Sequence, residues 1–218
     1  MKKIFVKKLS DTLNVKPKEV DGLLSGICSE WNLIQTVNWP EYPYCPNVGF
    51  RIGYTDDSIL LQYKVKEQTV LALCGHDNED VWTDSCVEFF LMPDGADIYY
   101  NIETNCIGSA LIGCGQNRSD RQRGDESIVS QIKRYSTLGT DTFAEKPFDE
   151  EWSVSLVIPF TAFFKSNIDS LEGKTLKANF YKCGDHLSIP YFLSWNPIKT
   201  EQPNFHQPNY FGELEFIK

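Results

Sequence analysis

Short runs in which apolar and polar residues alternate dominate the chain. Ile59–Val65 sets Ile59, Leu61, Tyr63 and Val65 against Gln62 and Lys64, the period of two expected of a strand. Trp152–Ile158 repeats the pattern, with Trp152, Val154, Leu156 and Ile158 on one face and Ser153 and Ser155 on the other. Further strands are read at Val48–Tyr54, Val70–Cys74, Ser85–Met92, Ile98–Ile107, Ile128–Tyr135, Leu176–Cys183, Phe192–Trp195 and Phe211–Ile217. Turn clusters such as Pro46-Asn47, Thr55–Ser58 and Pro93-Asp94-Gly95 separate them. Helical spacing is confined to Pro17–Ile27, with Val20, Leu23, Leu24 and Ile27 on one face, and to one turn at Thr161–Phe164. Many short strands with few short helices predict an all-β fold, a two-sheet antiparallel β-sandwich resembling a jelly roll. With no repeat and no Gly/Ser linker, residues 1–218 read as a single domain.

Charge narrows the function classes. Lys and Arg total 21 against 30 Asp and Glu, a formal charge of −9. This balance argues against nucleic-acid and anionic-membrane partners, both of which need a basic surface. No apolar run is long enough to span a bilayer. The basic start MKKIFVKK lacks the apolar stretch of a signal peptide, so the expected location is cytoplasmic. The seven cysteines form no CxxC pair and the three histidines are scattered, which points to reduced, mostly buried thiols. The one locally basic stretch is Gln116–Gly124, with Arg118, Arg121 and Arg123.

Two strands carry an unusual polar row. In Ser85–Leu91, Val87, Phe89 and Leu91 share one face, and Asp84, Cys86, Glu88 and Phe90 the other. In the next strand Tyr100, Ile102 and Cys106 oppose Tyr99, Asn101, Glu103 and Asn105. Paired antiparallel, the two strands would put Glu88 beside this polar row. Carboxylates and amides so placed suit a polyhydroxylated ligand, or else a solvent-facing sheet surface. Trp152 is a core residue by its alternation, and Trp31 and Trp39 read as packing residues. Trp82, among polar neighbours at a strand entrance, suits an aromatic platform. Asp77, Glu79, Asp80 and Asp84 form an acidic cluster that either holds structural calcium or is a solvated turn. His206 reads as a structural histidine.

The ordered blocks VWTDSCVEFFL, YYNIETNCIG, WSVSLVIPF, ANFYKCGD, LSWNPI and NFHQPNYFGELEF resemble the family 9 carbohydrate-binding modules, in particular a stand-alone gut-bacterial branch. The resemblance implies a non-catalytic β-sandwich that binds oligosaccharides or polysaccharides of plant origin, xylan or cellulose, often at a reducing end, in support of carbohydrate catabolism. No cofactor is required on this reading, although calcium commonly steadies the loops. Ligand contacts are then expected from Trp82 and Trp195 by stacking, and from Glu88, Asn101, Asn105 and Arg121 by hydrogen bonding. Two other readings stand beside it. One is a glycoside hydrolase using Glu88. The other is a protein-interaction sandwich whose sugar site has decayed. Cys183, Asp185 and His186 would supply a thiol and a base, but as sequence neighbours they make a weak catalytic set.

Overall fold

The computed structural model describes residues 1–9, 14–28 and 30–218. Its strands are β1 (Lys3–Lys8), β2 (Asn32–Leu33), β3 (Thr36–Val37), β4 (Asn47–Tyr54), β5 (Ser58–Lys66), β6 (Thr69–Ala72), β7 (Cys86–Met92) and β8 (Tyr99–Asn105). They continue as β9 (Ala110–Gly115), β10 (Gln122–Arg123), β11 (Lys133–Ser136), β12 (Phe143–Pro147), β13 (Trp152–Pro159), β14 (Thr175–Cys183), β15 (Phe192–Ser194) and β16 (Gly212–Ile217). The α-helices among the described residues are α1 (Val20–Ile27) and α2 (Glu126–Val129).

One hydrogen-bonded path runs β10-β9-β8-β7-β14-β16-β1-β4-β5-β13-β11 and curls over on itself. The first six strands form one wall of a sandwich and the last four the other. Between them lies β1, which pairs parallel with both β16 and β4, while the other strand pairs are antiparallel. The inner faces meet in a large apolar core where Phe50 stacks on Phe180, centroids 3.7 Å apart, and Trp152, Tyr63, Phe89 and Ile102 are fully buried. That contact surface follows directly from the period-two pattern. A fully buried ion pair, Lys182 with Glu67 at 3.0 Å, crosses this core and is tied to Tyr191 and to Trp152 Nε1.

The outer face of the first wall is covered too. Phe90, Tyr99, Tyr181 and Cys183 pack under Trp39, Phe205 and Phe211, forming a second apolar cluster. The alternative of a bare, solvent-facing sheet is therefore corrected: the irregular segment after β15 lies over this face.

Several boundaries differ from the sequence reading. Ile128–Tyr135 is not one strand. Asp125 caps α2 by accepting from the Ile128 amide at 3.2 Å, and the strand begins only at Lys133. The strand read over Val70–Cys74 ends at Ala72, because the amides of Leu73 and Cys74 turn to the Asp84 carboxylate at 2.9 and 3.0 Å. The sequence reading also missed β1, β9 and β12. In β1 lysines interrupt the apolar run, and in β9 two glycines replace the expected side chains.

Candidate functional site

Strand register builds the floor of a cleft on the covered outer face. In the β7–β8 ladder Glu88 stands opposite Glu103, and Phe90 opposite Asn101. Across β8–β9, Asn101 stands opposite Gly113. Across β7–β14, Cys86 stands opposite Cys183. Glu88, Asn101, Glu103, Gly113 and Cys183 thus line one floor, and a cavity of ≈ 300 Å³ rises from it. Trp82 enters from the single turn Val81–Thr83 just before β7, Phe192 from the start of β15, and Phe205 and His206 from the segment that covers the sheet. Arg118, Arg121 and Arg123 come from the basic loop after β9.

The Arg121 guanidinium is laid flat on the sheet. It lies 4.3 Å from the Tyr99 ring centroid and donates to the carbonyls of Gly115, Tyr99 and Gly113 at 3.0, 2.9 and 3.0 Å. It also donates to Asn101 Oδ1, and Asn101 Nδ2 in turn donates to Glu103 Oε1 at 2.8 Å. Glycine at 113 is a steric requirement here, since a Cβ would come within 2.8 Å of Asn101 Oδ1. Two buried polar atoms of this chain of contacts have no protein partner, Arg121 Nε and Glu103 Oε2. Leaving such atoms unsatisfied costs about 1–3 kcal/mol each. Arg123 bonds Asp80 at 2.8 Å and sets its guanidinium 5.4 Å from the Trp82 ring.

Burial governs protonation in the cleft. Glu88 is 3% exposed, and burial together with the neighbouring Glu103 raises its pKa well above the usual carboxylate range. Burial also lifts Glu103 to about 7, against the pull of its Asn101 hydrogen bond and of Arg123 and Arg121. Asp185, desolvated in the same wall, rises to about 6. His206 moves the other way, to about 3, because it is buried and faces Arg121 and Arg118; its Nδ1 lies 3.0 Å from the Tyr99 hydroxyl.

Trp82, Glu88, Asn101 and Arg121 all line this cavity. Two other residues expected at the site lie elsewhere. Trp195 belongs to the core between the walls: it is 3% exposed and presents T-shaped contacts to Phe50 and Phe180 at 6.1 and 5.7 Å. Gly212 makes room for it, since a Cβ there would come within 2.3 Å of the indole. Asn105 is fully buried beside the cleft and acts as a brace. Its amide donates to Cys74 O and Asp84 Oδ2 at 2.8 and 2.9 Å, and its Oδ1 accepts from the amide of Ser109.

The carboxylates of the acidic cluster are engaged by separate protein donors. Asp77 holds Arg134 and the Ala110 amide, Glu79 holds the His76 amide, Asp80 holds Arg123, and Asp84 holds two amides and Asn105. Cys183 and His186 form no nucleophile pair. Burial keeps the Cys183 thiol protonated, and its Sγ points to Glu88 Oε1 at 3.2 Å.

Glu103, Asp185, Phe192, Phe205 and His206 join the cavity without having been expected as ligand contacts. For Glu103 the signal was present in its alternation with Asn101. Phe205 and His206 sit in irregular chain, where no period marks which way a side chain points.

The wider comparison agrees with this architecture. A protein from Bacteroides uniformis ATCC 8492, whose carbohydrate binding is a provisional assignment, shares 46% identity over 99% of each chain with a TM-score of 0.95. A carbohydrate-binding module of family 9 from Caldicellulosiruptor kristjanssonii was solved with glucose and with cellotriose. The glucose complex aligns at 14% identity and a TM-score of 0.62 over 99% of this chain and 95% of that one. The cellotriose complex aligns at 15% and 0.64 over 99% and 94%. At that identity these two show the shared fold. No curated protein matches the chain. Residues 18–216 match the family described as carbohydrate-binding family 9, and with nearly the whole length covered, the chain belongs to that family.

Proposed function

We propose that the outer-face cleft binds the terminal ring of a plant-derived oligosaccharide, non-covalently and without cleaving it. Sugars present apolar C–H faces and a rim of hydroxyls, so a site needs a flat aromatic surface beside fixed polar atoms. The observation that carries the reading is that Trp82 lines the same cavity as Glu103 and Arg121, whose Oε2 and Nε have no protein partner. Hydroxyls would accept from Arg121 and donate to Glu103 and Glu88. Trp82 supplies the platform alone, with Phe192 and Phe205 as apolar walls in place of a second tryptophan. A cavity of ≈ 300 Å³ lies at the small end of ligand sites, which favours a chain end over a long polysaccharide groove. The carboxyls of Glu88 and Glu103 stand side by side on one sheet face, whereas hydrolysis requires them to flank the scissile bond. Membership of the family, together with relatives solved with glucose and cellotriose, supports the choice of ligand class.

Calorimetric titration with cello- and xylo-oligosaccharides tests this. Binding is expected with the native chain, and Trp82→Ala should weaken it roughly tenfold to a hundredfold, the value of losing about 1.5–3 kcal/mol of aromatic contact. Borohydride-reduced oligosaccharides, whose terminal ring is open, should lose binding if the reducing end enters the cleft. Unchanged affinity in Trp82→Ala would place the ligand elsewhere.

A further inference from the structure

At the base of the cleft three side chains converge that the sugar reading does not need together. Cys86 and Cys183 face each other across the β7–β14 ladder, and Glu88 lies two residues along the same face of β7. Their Sγ and carboxylate atoms all lie within 4.8 Å of one another, and no other such group of His, Cys, Asp or Glu ligand atoms occurs among the described residues. Cys183 Sγ and Glu88 Oε1 are already 3.2 Å apart. Donor atoms of a tetrahedral zinc site sit roughly 3.5 Å apart, given bond lengths of about 2.3 Å to sulfur and 2.1 Å to oxygen.

We infer that Cys86, Cys183 and Glu88 form a binding site for one thiophilic divalent cation of the zinc type, its fourth coordination position opening into the cleft. The donor set is two sulfurs and one oxygen, which selects zinc-like ions over calcium or magnesium. Access exists, because Glu88 and Cys183 both line the cavity. The buried ammonium of Lys182, on the opposite face of β14, contributes a positive field to both Cys86 and Glu88. Binding replaces the thiol protons with the metal and releases them to solvent, with no change of oxidation state. The inference rests on the convergence of ligands and stands whether or not a sugar binds above it.

Cobalt titration of the reduced full-length chain is the test. One cobalt per chain should give a thiolate-to-metal charge-transfer band and the visible bands of a tetrahedral site, both erased by zinc. Cys86→Ala and Cys183→Ser should each abolish the charge-transfer band. Glu88→Gln should weaken binding at least about tenfold, as losing a direct ligand costs no less than losing an outer-shell partner. Cys45→Ala, which removes an exposed thiol, should leave the spectrum unchanged. X-ray absorption at the zinc edge of the native protein covers the case in which a cysteine variant does not fold. Two sulfurs in the first shell support the site. A shell of nitrogen and oxygen only, or a cobalt band that survives in a folded Cys86→Ala chain, overturns it.

Discussion

Glu103 concentrates the tension between folding and binding. Its carboxyl is nearly sealed, and only one of its oxygens is satisfied, by Asn101. In the native state its pKa is about 7, against an ordinary value near 4.5. Between those values the folded chain keeps a proton that the unfolded chain releases, so stability falls as pH rises through that window, by about 1 kcal/mol per pH unit at most. Glu103→Gln removes that loss. It should raise the melting temperature at pH 8 relative to the native chain and leave it little changed at pH 4, while weakening sugar affinity at both. A variant less stable than the native chain at pH 8 would mean that Glu103 is held by more than the contacts described. His206 has the opposite sign. Its native pKa of about 3 lies below the ordinary histidine value of 6.5, so the unfolded chain takes up a proton that the native chain refuses. Its contribution is intact above pH 6.5 and is lost as the pH falls toward 3. Acid denaturation curves should therefore flatten between pH 6 and 4 in His206→Gln.

At the level of elements, the site depends on how closely the basic loop can lie on the sheet. In β9, Gly113 leaves space for Asn101 Oδ1 and Gly115 for the Asp120 carbonyl, where a Cβ would approach to 2.8 and 2.7 Å. Gly113→Ala should displace Asn101 and unseat Arg121, lowering sugar affinity at least tenfold by calorimetry while the core between the walls stays packed. Trp195→Ala is the converse case. It empties a core position against Phe50 and Phe180 and should cost about 3–5 kcal/mol in urea unfolding, with little change in affinity for whatever folded protein remains. These two residues also show where the sequence was readable. The alternation in Ser85–Leu91 and Ile98–Ile107 separated the inner face of the wall from the outer face that carries the cleft, since a strand allows only two directions. Trp195 stands at the end of a strand, beside Asn196-Pro197, where period and turn signals leave the direction of the ring open. Only the register of β15 on β14, with Gly212 beneath the indole, determines it. The role of Gly113 was equally hidden, because a glycine in a strand does not reveal which neighbour needs the space.

For the molecule as a whole, the weak point is the seam between the walls. The sandwich is one sheet path, and β1 is the strand that joins β16 to β4. The seam is asymmetric: β1 is in register with β16 from Lys3 to Lys7, but with β4 only at Lys7 and Lys8. Val6 is fully buried from this strand, the Tyr54 hydroxyl crosses to the Ile217 carbonyl, and Lys8 holds Asp56 and Glu172 at 2.7 and 3.0 Å. Those surface ion pairs add little, so Val6 and the ladder hydrogen bonds carry most of the seam. Removing residues 1–8 would leave the edges of β16 and β4 unpaired, and such edges recruit other chains. The truncated protein should melt at least about 10 °C lower, as expected for a loss of several kcal/mol in a domain of this size, and should elute as oligomers in size-exclusion chromatography. A milder change isolates the buried side chain: Val6→Ala keeps the ladder and should cost about 1–2 kcal/mol with the chain still monodisperse. The cleft lies on the far face of β7–β9, away from the seam, so the folded fraction of Val6→Ala should bind sugar as the native chain does. A shared loss of affinity would instead show that the two walls and the cleft move as one unit.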